Sequence, residues 1–68
     1  MKKEFIEVMF WNGNEALLFG TQSKFVFDTM EEAKVFVNGF NCNCSEVSFN
    51  TFLGSQLIDS KVYEVLVE

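Results

Sequence analysis

The side chains of this chain that could do chemistry are few, and the two cysteines, Cys42 and Cys44, are the clearest pair. With one residue between them on an extended backbone, both would point to the same side, which suits metal ligation better than an internal disulfide. A structural zinc site normally needs four Cys or His ligands, and this chain has no histidine. A symmetric dimer could assemble four thiolates across its axis; the alternative is a pair of reduced, inert loop thiols. We predict no metal and no cofactor, and keep the shared Cys42 and Cys44 site as the alternative.

Other side chains and motifs that enzymes commonly use for catalysis are missing from the sequence. Without histidine there is no Ser-His or Cys-His dyad and no imidazole base. The four glycines are scattered singly, so no loop is built to cradle phosphate. Glu31 and Glu32 are adjacent carboxylates, but neighbouring helix residues point in different directions. We therefore predict that the protein is not an enzyme.

The charge balance restricts the partners. Ten acidic residues against five basic ones give a net charge of −5, and all five basic residues are lysines. Affinity for nucleic acid depends largely on cations that neutralise phosphates, and bidentate recognition favours arginine. We expect no direct binding of nucleic acid and, if the partner is charged, a basic one. The alternative is that the charge only keeps an apolar chain soluble.

The amino-terminal residues do not form a secretory signal. Lys2 and Lys3 are followed by Glu4 and Glu7, and no long apolar region comes after them. No apolar run approaches the ~20 residues that span a bilayer. We expect a cytoplasmic protein with reduced cysteines and no membrane partner.

The elements that must position these groups are predicted as ββ(β)αββ in a single small domain, residues 1–68. The class is α+β: a mainly antiparallel sheet with one helix packed on one face. The predicted elements are strands at about 5–11, 15–19, 24–27, 46–53 and 61–67 and a helix at about 29–39. Turns are expected at residues 12–14 and 54–56, and Asp59-Ser60 is expected to break the chain before the last strand. The third strand is either separate or a continuation of the second past a bulge at Gly20.

The helix has the clearest local signals. Thr29 and Glu32 fit a capping box, and Gly39 stands where a left-handed carboxyl-terminal cap is expected. An apolar stripe at helical spacing is formed by Met30, Ala33, Phe36, Val37 and Phe40. A helix of about eleven residues is only ~16 Å long, so it covers part of a sheet of four or five strands.

Apolar residues therefore remain for the face that the helix leaves uncovered. The candidates are Phe5, Met9, Trp11, Phe52, Val62 and Leu66. An uncovered apolar sheet face either curls in on itself or serves as an interface. Trp11 beside the Asn-Gly turn is the main interface candidate, since tryptophan is enriched in binding hot spots. The alternative is that Trp11 caps the rim of the sheet and packs on the helix or the second hairpin.

These observations predict a small acidic, non-enzymatic protein that binds a larger protein or protein complex and inhibits it. Size and composition are analogous to those of small phage or mobile-element inhibitors of host enzymes or defence complexes, which act in the host cytoplasm. The predicted partner-binding residues are Phe5, Glu7, Met9, Trp11, Glu31, Glu32 and Phe52. One version is mimicry of nucleic acid, in which carboxylates replace phosphates; its residues are Glu7, Glu31, Glu32, Glu46 and Glu64. The alternative function is a self-assembling homodimer that uses the uncovered apolar face.

Overall fold

The computed structural model describes residues 3–40 and 43–65. The elements in chain order are β1 (Glu4–Asn12), β2 (Glu15–Ala16), β3 (Lys24–Phe27), α1 (Met30–Gly39), β4 (Glu46–Leu53) and β5 (Gln56–Glu64). The five strands form one antiparallel sheet, and α1 packs on β1 and β3. This confirms the predicted α+β class and the ββ(β)αββ order. Within the described residues, no helix has both the length and the apolar character needed to cross a bilayer.

The first strand of the chain lies inside the sheet. β4 pairs with one side of β1 along the whole stretch from Glu4 to Trp11. β2 and β3 both pair with the other side of β1, and β5 pairs with the outer side of β4. β2 and β3 thus follow the same edge of β1, which fits the alternative of one interrupted strand.

The interruption shortens the second strand. The predicted strand at 15–19 is wrong beyond Ala16, because the chain leaves the sheet at residues 17–23. There Phe19 and Gln22 exchange two backbone hydrogen bonds of 2.8 and 3.3 Å around a tight turn, with Gly20 at a φ of 73°. The detour carries the Phe19 ring inward, where it meets Phe10 edge-on at 5.7 Å. Burial of this ring compensates for the ladder bonds that the strand loses.

The last strand begins earlier than its sequence suggests. The predicted break at Asp59-Ser60 is wrong, because β5 runs without interruption from Gln56 to Glu64. Of the predicted strand at 61–67, residues 61–64 are confirmed as strand, and residues 66 and 67 lie outside the described residues. The turn consists of Gly54 and Ser55 alone, and the positive φ of Gly54, 63°, suits the first central residue of a type II′ hairpin turn. Pairing with β4 overrides the low strand propensity of Asp and Ser, and a bulge between Thr51 and Phe52 absorbs one extra residue.

The ends of the helix show one prediction confirmed in part, since Thr29 is the N-cap, and one corrected. The Thr29 hydroxyl accepts a hydrogen bond from the Glu32 backbone N–H and donates one to the Glu32 carboxylate, each at 3.2 Å. The left-handed cap at Gly39 is wrong: Gly39 ends the helix, and Phe40 follows as an extended cap with φ −89°. The extended backbone lets the Phe40 ring stack on Phe10 at 4.8 Å, so tertiary packing decides how the chain leaves the helix.

Loss of the Thr29 cap should cost a measurable part of the stability. We expect Thr29→Ala to lower the free energy of unfolding by about 1 kcal/mol, because one N–H of the first helical turn loses its acceptor. Chemical denaturation followed by circular dichroism measures the loss. Thr21→Ala, in the exposed turn at residues 17–23, is the control and should change stability by less than about 0.5 kcal/mol. Equal losses in the two variants would contradict the capping role.

The core lies between α1 and one face of the sheet. Its buried members are Ile6, Val8, Phe10, Ala33, Cys44, Val47 and Phe49. Phe10 is at its centre, with ring contacts to Phe19, Phe25, Phe36 and Phe40. Most of the aromatic surplus of the sequence is therefore used to fill the helix side of a short chain.

Candidate interaction surface

The face of the sheet turned away from α1 is the main candidate for contact with a partner, and we call it the open face. Strand side chains alternate between faces, so the neighbours of the core residues lie on it. Its residues are Phe5, Glu7, Met9 and Trp11 of β1, Glu46, Ser48, Asn50 and Phe52 of β4, and Leu57, Ser60, Val62 and Glu64 of β5. The structure thus places on one face all the apolar candidates that the sequence proposed for it, except Leu66, which lies outside the described residues.

The Trp11 indole is held on this face by a hydrogen bond. Its Nε1–H donates to the Ser48 hydroxyl across the β1–β4 pair at 2.9 Å, and the Ser48 hydroxyl lies 3.5 Å from the Met9 carbonyl oxygen. Ser48 is only 4% exposed although it belongs to the open face, because the indole covers it. Trp11 therefore lies over β4 and does not pack on the helix. A half-exposed ring of fixed orientation pays little conformational entropy on binding.

Apolar neighbours extend the indole into a patch. Met9 lies one step along β1 on the same face, and Val62, which is 58% exposed, is paired with Ser48 across the β4–β5 ladder. We call Met9, Trp11 and Val62 the Trp11 patch. Glu7 borders it on one side, and Glu46 with Glu64 borders it on the other.

Glu46 and Glu64 are direct cross-strand neighbours. The Val65 N–H donates to the Ser45 carbonyl at 2.9 Å, so the next pair along the ladder, Glu46 and Glu64, is of the non-hydrogen-bonded kind, in which side chains come closest. Like charges directly opposite each other destabilise a sheet. Within residues 3–40 and 43–65, no lysine lies within ion-pair distance of either carboxylate. In the unbound protein, repulsion between the two carboxylates lowers the stability of the sheet. A cation supplied by a partner would relieve this repulsion.

A shallow depression joins the indole to one member of this pair, Glu46. Its volume is about 280 Å³, and it is lined by Trp11, Gly13, Asn14, Glu46 and Val62. An aromatic face and a carboxylate at one site provide cation–π and ion-pair stabilisation for the same positive group. The depression is therefore suited to a Lys or Arg side chain.

A second apolar group on the open face is separate from the first. The Phe5 and Phe52 rings stack at 5.2 Å with 11° between their planes, and Leu57 is the β5 partner of Phe52. Between this group and the Trp11 patch runs a polar row, Glu7, Asn50 and Ser60, in which the Ser60 hydroxyl donates to the Asn50 side-chain oxygen at 2.7 Å. The apolar residues of the open face thus form two separate groups.

Two of the predicted partner-binding residues lie elsewhere. Glu31 and Glu32 are on α1, in the opposite layer, where they border a depression of about 530 Å³ together with Phe27, Val35 and Phe36. The structure brings Phe5, Glu7, Met9, Trp11 and Phe52 to one face but separates the two helix glutamates from them. The five carboxylates proposed for nucleic-acid mimicry are likewise split between the two layers.

Of the two cysteines, the structure describes only Cys44. Cys44 is 5% exposed and belongs to the core, whereas Cys42 lies outside the described residues. Burial of Cys44 is explained by packing, since cysteine behaves as a small apolar side chain. Among the residues that the structure describes, no group of three or more His, Cys, Asp or Glu side chains is arranged to hold a metal ion.

The sequence reasoning missed two features of this surface: the role of Ser48 as the acceptor for the indole, and the exposure of Leu57 and Ile58 on β5, 50% and 48%. Both follow from strand register. The Gly54-Ser55 turn is the signal that could have placed Leu57 opposite Phe52, since a two-residue hairpin turn sets the register of the pairs next to it. The bulge between Thr51 and Phe52 shifts every later pair by one residue.

No protein-family model, no curated protein and no solved structure matches this chain. A functional assignment therefore depends on the geometry and charge of the open face.

Proposed function

We propose that this protein is a non-enzymatic interaction protein that binds a larger protein through the Trp11 patch and modulates its activity. The observation that carries the proposal is the half-exposed indole, fixed by Ser48, beside the like-charged pair Glu46 and Glu64. An aromatic anchor with a polar border is the usual composition of a binding hot spot.

The chemistry of the surface specifies the partner. A Lys or Arg side chain of the partner enters the depression between Trp11 and Glu46, and apolar side chains around it cover Met9 and Val62. Binding relieves the repulsion between Glu46 and Glu64, so the partner's cation gains more than it would at an isolated carboxylate. The contact is then both apolar and salt-dependent.

Face-to-face assembly of two copies is less suited to this surface. Two open faces related by a two-fold axis would bring the acidic borders of both copies together in a chain whose net charge is −5. Like-charge juxtaposition at an interface costs several kcal/mol. The polar row of Glu7, Asn50 and Ser60 would also be buried between the two apolar groups. For these reasons we favour a different, basic partner over the homodimer.

Quantitative capture from an extract of the cells that contain the protein tests the proposal with four matched baits. We expect wild type and Glu31→Lys to retain the same basic protein, because Glu31 lies in the opposite layer. Trp11→Ala should weaken its retention by about 30-fold or more, and Glu64→Lys by about tenfold or more. Glu64→Lys removes the cross-strand repulsion, so its free energy of unfolding should be at least that of wild type; lost binding in this variant then does not come from unfolding.

The retained protein is then purified and its activity measured with and without the wild-type chain. Retention of a partner equally by all four baits would refute the role of the open face. Loss of retention with Glu31→Lys, but not with the other variants, would show that the partner contacts the helix layer. Binding that is indifferent to salt between about 50 and 500 mM would refute the role of the Glu46 and Glu64 pair.

A further inference from the structure

The outer edge of β5 is the longest unpaired strand edge in the described chain. All nine residues of β5 are exposed, and no described residue pairs with its outer side. Proteins usually protect such an edge with proline, with charge or by covering it. β5 has no proline and one lysine, Lys61, whereas the other edge of the sheet offers only the four residues of β3 and the two of β2.

The ladder with β4 determines which backbone groups of β5 point outward. Ser45 and Val65 form a hydrogen-bonded pair through the Val65 N–H, and such pairs recur at every second residue of an antiparallel ladder. Residues 59, 61 and 63 therefore direct their N–H and C=O groups toward β4. Ser60, Val62 and Glu64 direct theirs away from the sheet, available to another strand.

We infer that a second copy of this chain binds here, with the two β5 strands antiparallel about a two-fold axis at Ser60. In this register Ser60 of each copy exchanges backbone hydrogen bonds with Ser60 of the other. Asp59 of each copy then lies opposite Lys61 of the other. Both pairs occupy non-hydrogen-bonded positions, in which side chains come closest. Next to these pairs, Val62 of one copy comes beside Ile58 of the other, which is the extra residue of the bulge, and the two residues are 58% and 48% exposed in the single chain.

Charge complementarity selects this register and this partner. In an antiparallel pair, a two-fold axis perpendicular to the sheet lies at the centre of either a hydrogen-bonded or a non-hydrogen-bonded pair. An axis at Asp59 or at Lys61 would place that residue opposite its own copy, so that like charges face each other. An axis at Val62 would oppose Lys61 to Tyr63 and Ser60 to Glu64, with no ion pair. The axis at Ser60 alone pairs opposite charges and brings apolar residues beside each other, and such cross-strand neighbours stabilise antiparallel sheets. The strand is thus complementary to itself.

The dimer leaves the proposed partner site free. An axis perpendicular to the sheet extends the sheet sideways and places both Trp11 patches on the same side of it. Two linked sites raise the avidity for a partner that presents two basic positions. This inference depends on β5 and not on the proposed function, and each can fail without the other.

Sedimentation equilibrium at about 100 μM protein tests the pairing, a concentration that populates a dimer of micromolar Kd. We expect a mass of twice the 7.8 kDa of the single chain. Asp59→Lys should weaken the dimer by about tenfold or more, because both ion pairs become lysine pairs. The double variant Asp59→Lys with Lys61→Asp exchanges the charges and should restore the dimer to within about threefold of wild type. Asp28→Lys, the same change at an exposed position outside β5, should leave the dimer unchanged.

Ser60→Pro provides a second test that does not involve charge. It removes an outward N–H and leaves the ladder to β4 intact, so it should abolish the dimer while circular dichroism shows a folded chain. A monomeric wild type overturns the inference. A dimer that tolerates both Asp59→Lys and Ser60→Pro, or that the double exchange fails to restore, overturns it as well.

Discussion

Phe10→Ala is expected to lower the free energy of unfolding by about 3–5 kcal/mol, a large part of the total for this chain. The side chain is 2% exposed, and its ring contacts four others, Phe19, Phe25, Phe36 and Phe40, at centroid distances from 4.8 to 6.2 Å. Truncation of a buried phenylalanine to alanine costs about 3–5 kcal/mol. At about 0.05–0.15 kcal/mol per residue, a chain of 68 residues has about 3–10 kcal/mol in total. The loss is therefore between about one third and all of the stability.

The reason for so large an effect is that Phe10 lies at the centre of a group of aromatic rings from several elements, which also contact one another. Phe19 lies in the turn at residues 17–23 and Phe25 in β3, whereas Phe36 lies in α1 and Phe40 directly follows it. All four rings contact the Phe10 ring. Urea denaturation followed by circular dichroism measures the loss. Phe52→Ala is the matched control, since Phe52 is half-buried on the open face and stacks only on Phe5; we expect a loss of about 1–2 kcal/mol. A Phe10→Ala variant no less stable than Phe52→Ala would contradict the central role of Phe10.

Ala33→Leu is expected to destabilise the protein by about 1–3 kcal/mol. Ala33 is fully buried, at 0% exposure, and it is the one fully buried residue of α1. Its single methyl group lets the helix backbone come close to β1 and β3. Three additional carbons have no space to enter, so the helix must move away from the sheet and the aromatic rings around Phe10 must repack.

Helix propensity does not account for this expected loss, because leucine is a good helix former. Val35→Leu provides the control: Val35 lies on the same helix, is 67% exposed, and should change the free energy of unfolding by less than about 0.5 kcal/mol. Thermal unfolding and urea denaturation of both variants measure the difference. A neutral or stabilising Ala33→Leu would show that an unfilled space exists between the helix and the sheet.

Local signals in the sequence predicted the parts of the fold that depend on neighbouring residues. The pair of Thr29 and Glu32 fixed the start of the helix, since a capping box needs only four consecutive residues. The detour at residues 17–23 and the course of β5 through Asp59 and Ser60 were not predictable in this way. Both depend on a partner that is distant in the sequence: the ring of Phe10 in one case and the ladder of β4 in the other.

The same distinction between local and long-range signals applies to the candidate site. Alternation along β1 and β4 was sufficient to place Trp11 and Met9 opposite the helix face. The apposition of Glu46 and Glu64 requires the β4–β5 register, and sequence alternation alone does not supply it. Glu31 and Glu32 were grouped with the sheet residues by charge, but charge carries no information about the layer in which a residue lies.

The inner position of β1 also has a consequence for synthesis of the protein. Of the five described strands, β1 leaves the ribosome first, and its neighbours β2 and β3 follow within a few residues. Its other neighbour, β4, begins only at Glu46. During that interval one edge of β1 and the apolar side chains of Ile6 and Val8 have no native partner on the side that β4 will occupy. Nascent chains with unpaired strand edges and exposed apolar surface are prone to aggregate. The period of greatest risk is therefore the interval between the synthesis of β1 and that of β4.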